Sequence, residues 1–207
     1  MTPTIYVVDD DDSIRRALFR LLTIHGHKSK AFGSAEEFLE RVDTDAGPAC
    51  LLLDLHLPDM SGLAVQQALN GSMPIVVMTG YATVPIAVSA LKAGAFGFLE
   101  KPIPDNQLLE TVDRACSLAV RRYASRVETN AMQQKFNQLS PRQQEVLMLI
   151  SDGLLNKQVG EVLGIVEKTV KVHRIHMMQK LGITTLAGLV RFADGLRRGN
   201  KDVPTDG

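Results

Sequence analysis

Cys50–Gly62 reads CLLLDLHLPDMSG, and the fold turns on this stretch. An apolar run climbs to Asp54 and stops. Leu57-Pro58, Asp59-Met60 and Ser61-Gly62 then turn the chain away, in residues that favour turns. A run that is apolar at nearly every position reads as a strand covered on both faces. Asp54 therefore stands at the carboxyl end of a buried strand. A carboxylate there is expensive unless something pairs with it. Its partners define what the site does.

Four further runs of strand character lie around it: TIYVVD (4–9), KSKAF (28–32), IVVMTG (75–80) and FGFLEK (96–101). Helical patterns separate them. Ser13–His25 sets Ile14, Ala17, Leu18, Leu21 and Leu22 on one face, and Ser34 with Glu37 three residues on reads as a capping box. Residues 61–70, 84–93 and 105–120 supply the other helices. Alternation at this spacing predicts an α/β fold, a doubly wound five-stranded parallel sheet. Such sheets carry their site at the carboxyl ends of the strands.

Those ends hold Asp9 and Asp10, then Asp54, then Thr79, then Lys101-Pro102. A single Asp at a strand end is usually a turn former or cap, and Asp11, Asp12 and Ser13 are read that way. The conjunction at four of five strand ends says more. Clustered carboxylates raise one another's pKa, and a hard cation such as Mg²⁺ (or Mn²⁺) relieves the repulsion. An ionised Asp54 can then act as a nucleophile toward phosphorus, with Lys101 steadying the transferring oxygens.

Composition sets the frame. The 207 residues carry 23 basic and 23 acidic side chains. Residues 1–123 hold 15 acidic and 11 basic groups, a net of −4, which leaves 8 acidic and 12 basic, a net of +4, for residues 124–207. An acidic first half and a basic second half suggest two tasks, the second on a polyanion. Cys50 and Cys116, the two cysteines, read as reduced structural thiols. The N-terminus lacks the pattern of a signal peptide, and no apolar stretch reaches the roughly 18 residues a membrane span needs. The expectation is a cytosolic (cytoplasmic) protein with no membrane partner.

The segments YVVDD, LLLDLHLPDMSG, VVMTG and KAGAFGFLEKP resemble the receiver domain of bacterial two-component response regulators, over residues 1 to about 120. The resemblance implies strand order 2-1-3-4-5. It implies that Asp54 accepts a phosphoryl group from a cognate sensor histidine kinase. Asp9, Asp10, Asp54 and the backbone carbonyl of His56 would hold the Mg²⁺. Thr79 would be the switch hydroxyl, Phe98 the switch aromatic and Lys101 a phosphoryl contact, with a cis Lys101–Pro102 bond. His56 and Tyr81 lie two residues beyond the acceptor and the switch hydroxyl. There they would modulate the lifetime of phospho-Asp54.

Residues 105–138 contain no Pro or Gly and read as one long helical stretch leading out of the first domain. Val112, Cys116, Val120, Tyr123 and Val127 recur on one face, but Asn130 and Gln134 follow, which argues against a strong coiled-coil seam. From Leu139 the pattern is helical throughout. Ser140 is an N-cap with Pro141 at N1, and Gly153, Gly164 and Gly182 stop successive helices. Four helices in so short a span, two of them joined by Gly164-Ile165-Val166, predict a small all-α helix-turn-helix unit. In its third helix Val170, His173, Met177 and Leu181 would pack inward. Lys168, Lys171, Val172 and Ile175 lie opposite, where lysines suit phosphates and apolar groups suit thymine methyls.

LSPRQQEVLMLISDGLLNKQVGEVLGIVEKTVKVHRIHMMQKLGI resembles the LuxR-type DNA-binding domain of the NarL/FixJ response regulators, over roughly residues 137–198. This implies a recognition helix at Glu167–Leu181, base-facing Lys171, Val172 and Ile175, and phosphate contacts from Asn156, Lys157, Thr169 and Arg174. Four positions depart from the pattern. The family usually has Ser or Thr at Leu155, Ser at Val166, Glu at Gln143 and Ala at Gly160. The first two are N-cap positions, so each departure forfeits about 1 kcal/mol of capping.

The expected organisation is a receiver at 1–120, a helical linker at 121–137, the DNA-binding domain at 138–198 and a disordered tail at 199–207. The reading is a phosphorylation-dependent transcription regulator, not an enzyme beyond its own phosphorylation and dephosphorylation. It would dimerise on phosphorylation through Ile86, Val88, Leu91 and their neighbours, bind promoter DNA, and have RNA polymerase as a further candidate partner. A Mg²⁺-dependent phosphohydrolase using Asp54 would need a substrate-binding insertion that the chain lacks. A stand-alone DNA-binding protein whose receiver is only a dimerisation scaffold would not need intact acidic, hydroxyl and lysine positions.

Overall fold

Buried β-branched and leucine runs form the three central strands, and the register of the sheet aligns the strand ends that matter. The computed structural model describes residues 1–81 and 83–201. Five parallel strands, β1 (Thr4–Val8), β2 (Lys28–Phe32), β3 (Ala49–Asp54), β4 (Ile75–Thr79) and β5 (Gly97–Glu100), lie in the order β2-β1-β3-β4-β5. β3 is buried at every position and β4 likewise, as their unbroken apolar character requires. β2 is an edge strand, and its exposed lysines, Lys28 and Lys30, suit an edge.

Helices α1 (Asp12–Ile24), α2 (Ala35–Arg41), α3 (Gly62–Leu69), α4 (Val84–Lys92) and the long α5 (Asp105–Asn137) follow the strands in turn. The two faces of the sheet bury separate cores. One gathers Tyr6, Val8, Phe38, Leu51, Leu53, Val65 and Val77; the other gathers Ile5, Leu22, Leu52, Val76, Leu108 and Val112. Asp11 is the cap of α1, its side chain accepting from the backbone N–H of Ser13 at 2.7 Å and Ile14 at 3.3 Å. Ser34 caps α2 through the Glu37 N–H at 3.1 Å. The reciprocal half of the expected box differs, because the Glu37 carboxylate takes the Gly33 N–H at 3.4 Å instead.

The chain divides into two units, residues 1–124 and 125–207, with the division inside α5. The second unit holds the end of α5 and helices α6 (Pro141–Ser151), α7 (Asn156–Leu163), α8 (Glu167–Leu181) and α9 (Leu186–Lys201). Its core is Val146, Leu147, Val159, Val170, Met177, Leu189 and Ala193, with Met132 and Phe136 of α5 packed against it. α9 continues to Lys201, three residues into the expected tail, while residues 202–207 lie outside the described residues. Among the described residues no helix is long and apolar enough to cross a membrane.

Candidate functional site

Register builds the first site. Val8 pairs with Leu53 across β1 and β3, so Asp9 emerges beside Asp54. Asp54 pairs with Met78, which sets Thr79 one step further on. Thr79 pairs with Glu100, and the Lys101 N–H donates to the Thr79 carbonyl at 2.8 Å. Residues far apart in the chain thus converge on one crevice, as their strand-end positions predict. The Lys101–Pro102 bond is cis.

The opening stretch turns back on itself immediately after Asp54. The Gly62 N–H donates to the Leu55 carbonyl at 3.2 Å. A Cβ on Gly62 would lie 2.9 Å from both the Asp54 carbonyl oxygen and the Leu55 Cα. Only glycine lets α3 start this close to the strand end. The return leaves a shallow depression beside Asp54, lined by Asp10 and residues 55–61.

Within the crevice the Lys101 ammonium bridges two carboxylates. It donates to Asp9 Oδ2 at 2.6 Å and to Asp54 Oδ2 at 2.5 Å. Asp9 is fully buried and Asp54 nearly so, while Asp10 is exposed at the rim. Burial pushes the Asp9 carboxyl above its ordinary value, against the pull of Lys101. Burial alone would lower the Lys101 pKa, but the hydrogen bonds to Asp54 and Asp9 outweigh it and hold the ammonium above the ordinary lysine value. Both groups are shifted toward binding a proton, as expected where carboxylates outnumber cations. Carboxylate oxygens of Asp9, Asp10 and Asp54 come within 4.8 Å of one another, and an all-oxygen set of this kind suits a hard divalent cation.

The remaining predicted residues sit around this core. Thr79 is buried, and its hydroxyl accepts from the Tyr81 N–H at 3.2 Å and lies 3.3 Å from His56 Nδ1. The His56 N–H donates to Asp54 Oδ1 at 2.9 Å, and the His56 and Tyr81 rings meet edge to face at 6.0 Å. His56 thus touches Asp54, Thr79 and Tyr81 at once. Phe98 is half-buried against the first core with Ile86. On α4 only Ala90 is buried, and Val84, Val88 and Leu91 are exposed. Ile86, grouped with Val88 and Leu91 in the expected dimerisation face, is half-buried against the first core.

Sequence reading did not single out Arg15. Its guanidinium donates to the Asp9 carbonyl at 2.6 Å and to Asp12 Oδ1 at 3.2 Å, pinning the turn that carries Asp9 and Asp10. Its position one turn into α1, behind an acidic cluster, is the one signal that could have found it.

In the second unit, α8 divides as its pattern predicts. Val170, Met177 and Leu181 are buried, with His173 half-buried. Lys168, Lys171, Val172 and Ile175 are exposed, and Thr169 and Arg174 are partly so. Lys171 is held by Glu167 at 2.8 Å, an i,i+4 pair that lowers the Glu167 pKa. Asn156 and Lys157 open α7. Neither Leu155 nor Val166 provides a side-chain cap, and both are exposed. Gln158 instead reaches back to the Leu155 N–H at 2.8 Å. Gln143 completes a full capping box with Ser140, so the glutamate typical of that position is not needed for it. Gly160 is not a simple loss of helix propensity: a Cβ there would lie 2.6 Å from the Ile165 carbonyl oxygen, in the turn between α7 and α8.

Comparison with known proteins places both units. Residues 5–113 match the family described as "Response regulator receiver domain", and residues 137–193 match "Bacterial regulatory proteins, luxR family". The chain is 42% identical over 196 residues to Nodulation protein W of Bradyrhizobium diazoefficiens, covering 93% of this chain and 86% of that protein. It is 37% identical over 193 residues to the transcriptional regulatory protein FixJ of Rhizobium meliloti, covering 92% and 94%. Among solved structures, the response regulator StyR aligns with a TM-score of 0.78 at 40% identity, covering 94% of this chain and 99% of that one. The chain belongs to the response regulators that join a receiver domain to a LuxR-family DNA-binding domain, and it is a regulator of transcription.

Proposed function

We propose that Asp54 is the phosphoacceptor and that its phosphorylation controls DNA binding by the second unit. The observation that carries this is the single crevice in which Lys101 bridges Asp9 and Asp54, with Asp10 at the rim and the Thr79 hydroxyl buried alongside. In the transfer, an Asp54 carboxylate oxygen forms a bond to phosphorus. The bond from phosphorus to the donor breaks, and its electron pair leaves with the donor, which is the histidine imidazole of a cognate sensor kinase. Asp9, Asp10, Asp54 and the His56 carbonyl would hold Mg²⁺ or Mn²⁺. When bound, the ion supplies positive charge against the phosphoryl oxygens.

Lys101 then exchanges an Asp54 oxygen for a phosphoryl oxygen. Thr79 leaves His56 and the Tyr81 N–H to donate to the phosphoryl group, and Phe98 follows it inward. The exposed apolar side chains of α4, Val84, Val88 and Leu91, supply a face for a second copy of the chain. Two copies present two α8 helices to two half-sites of promoter DNA. Lys171, Val172 and Ile175 read base edges there, while Lys168, Thr169, Arg174, Asn156 and Lys157 contact the backbone. RNA polymerase is a downstream partner in this reading, and the setting is the cytoplasm.

The test treats the full chain and Asp54→Asn with Mg²⁺ and acetyl phosphate, then with beryllofluoride. Intact mass and solution molecular weight are recorded. One phosphoryl group on the wild type only, with a shift to dimer, supports the reading. Phosphorylation without dimerisation removes the α4 face from it. No phosphorylation, or equal phosphorylation of Asp54→Asn, overturns the assignment of Asp54.

A further inference from the structure

We propose that Cys50 and Cys116 form a reversible intramolecular disulfide, a modification site in the receiver core remote from the phosphoacceptor. They are the only two cysteines in the chain. One lies near the start of β3 and the other on α5, 66 residues on, and their Sγ atoms stand 3.7 Å apart. Both thiols are free. A disulfide needs an S–S distance near 2.05 Å, so closure by about 1.7 Å suffices, within the reach of small torsional and backbone adjustment. A chance pair of small core residues would not need its sulfurs aimed at each other.

The two thiols are unequal. Cys50 is completely buried, while Cys116 keeps 7% of its surface exposed. The hydrogen bond between them lowers the Cys116 pKa, against burial and the nearby Asp113 carboxylate, and raises that of Cys50. Cys116 is thus the outer, more readily ionised thiol and Cys50 the resolving one. The oxidant class that fits a small opening is a hydroperoxide. Cys116 thiolate attacks one peroxide oxygen, the O–O bond breaks, and hydroxide leaves to give a sulfenic acid. Cys50 then releases its proton and attacks Cys116 Sγ. The S–O bond breaks, and the oxygen departs as water. Two thiols lose two electrons, and hydrogen peroxide is reduced to two waters. A dithiol reductant reverses the bond, as befits a disulfide in a reducing compartment.

The consequence is mechanical. The bond would fasten the start of β3 to α5. Asp54 stands at the other end of the same strand, about 13 Å along it.

The experiment uses the full chain, purified reduced, freed of reductant and titrated with hydrogen peroxide. Samples are alkylated under denaturing conditions and analysed by intact mass and peptide mapping. The wild type is expected to lose both alkylatable thiols together and about 2 Da of mass, the signature of a disulfide rather than of added oxygen. A peptide linking Cys50 to Cys116 appears, and dithiothreitol restores both thiols. Cys50→Ala leaves a sulfenic acid on Cys116 that dimedone traps, whereas Cys116→Ala leaves Cys50 unmodified. Thiols that oxidise independently, stay reduced until the protein unfolds, or link two chains would overturn the proposal. The wild-type mass alone decides this, whether or not either variant folds.

Discussion

Lys101→Met isolates the electrostatics of the crevice. In the resting protein one ammonium, on a side chain 16% exposed, is shared by carboxylates that are 0% and 9% exposed. Methionine keeps most of the stem and removes the cation. Asp9 and Asp54 are then left facing each other, with Asp10 beside them. Deleting one partner of a buried ion pair costs about 3–5 kcal/mol, because the surviving charge stays desolvated. Here the low end applies. Burial already pushes the Asp9 carboxyl upward, so Asp9 can take a proton and relieve part of the repulsion. A loss of about 3 kcal/mol lowers the melting temperature of a unit of this size by roughly 10 °C. Calorimetry of the full chain in chelator near neutral pH reads this as a downward shift of the receiver transition, with the other unit's transition unmoved. The pH dependence gives a second reading. The folded pKa of Lys101 lies above the ordinary 10.5. A group raised in this direction stabilises fully below its unfolded pKa and loses that contribution as pH rises through its folded pKa. The advantage of wild type over variant therefore holds on the alkaline side until about pH 10.5 and shrinks above it. A shift below about 3 °C, or an advantage that grows above that pH, would refute the claim that Lys101 neutralises the cluster.

Other consequences follow from single contacts. Val166→Ser and Leu155→Ser should each stabilise the second unit by about 1 kcal/mol, since neither helix has a side-chain cap; unchanged calorimetric transitions would mean that the free N–H groups are already satisfied. His56→Ala and Tyr81→Ala should alter the half-life of phospho-Asp54, read by intact mass after the donor is removed. Half-lives equal to wild type would leave the two rings as surface groups. Ile175→Ala should weaken binding selectively at sites with a thymine under that side chain and little elsewhere, whereas Lys168→Ala should weaken all sites and reduce the salt slope by about one. Footprints and salt titrations that treat the two variants alike would undo the division of base and phosphate contacts.

The sheet was legible because its central strands are nearly pure apolar runs between turn residues. In a parallel sheet covered on both faces, that pattern has few alternatives. Four of the five strand ends were legible for the same reason: those runs stop at a charged or hydroxyl residue, while β2 ends at Phe32. What pattern could not supply was side-chain aim. The resemblance groups Ile86 with Val88 and Leu91 on one face, yet Ile86 is half-buried against the first core while the other two are exposed. The Glu37 carboxylate has the right spacing for its own cap and still prefers the Gly33 N–H. Helix extent was readable where Pro and Gly are absent, as in α5, but its division between two units depends on which core each turn touches, and Met132 and Phe136 carry no mark of that in the sequence.

The site separates into what strand order brings together and what only packing does. Asp9, Asp54, Thr79 and Lys101 meet because four strand ends share one edge of the sheet, so naming the strands nearly names the cluster. Arg15 acts by holding the Asp9 carbonyl, and Gly62 and Gly160 act by lacking a side chain, so spacing alone does not advertise them. Gly62 is required by the approach of α3 to Asp54, and Gly160 by the turn before α8. Gly160 also shows why a propensity argument alone misleads. Alanine would gain helix stability of about 1 kcal/mol, yet its Cβ would meet the Ile165 carbonyl oxygen at 2.6 Å. That oxygen is backbone, in the turn that sets α7 against α8. The alanine usual in the family therefore requires a slightly wider turn than this chain has. Gly160 and Val166 bracket that turn: the first lets the backbone approach closely there, and the second leaves α8 to start without a side-chain cap.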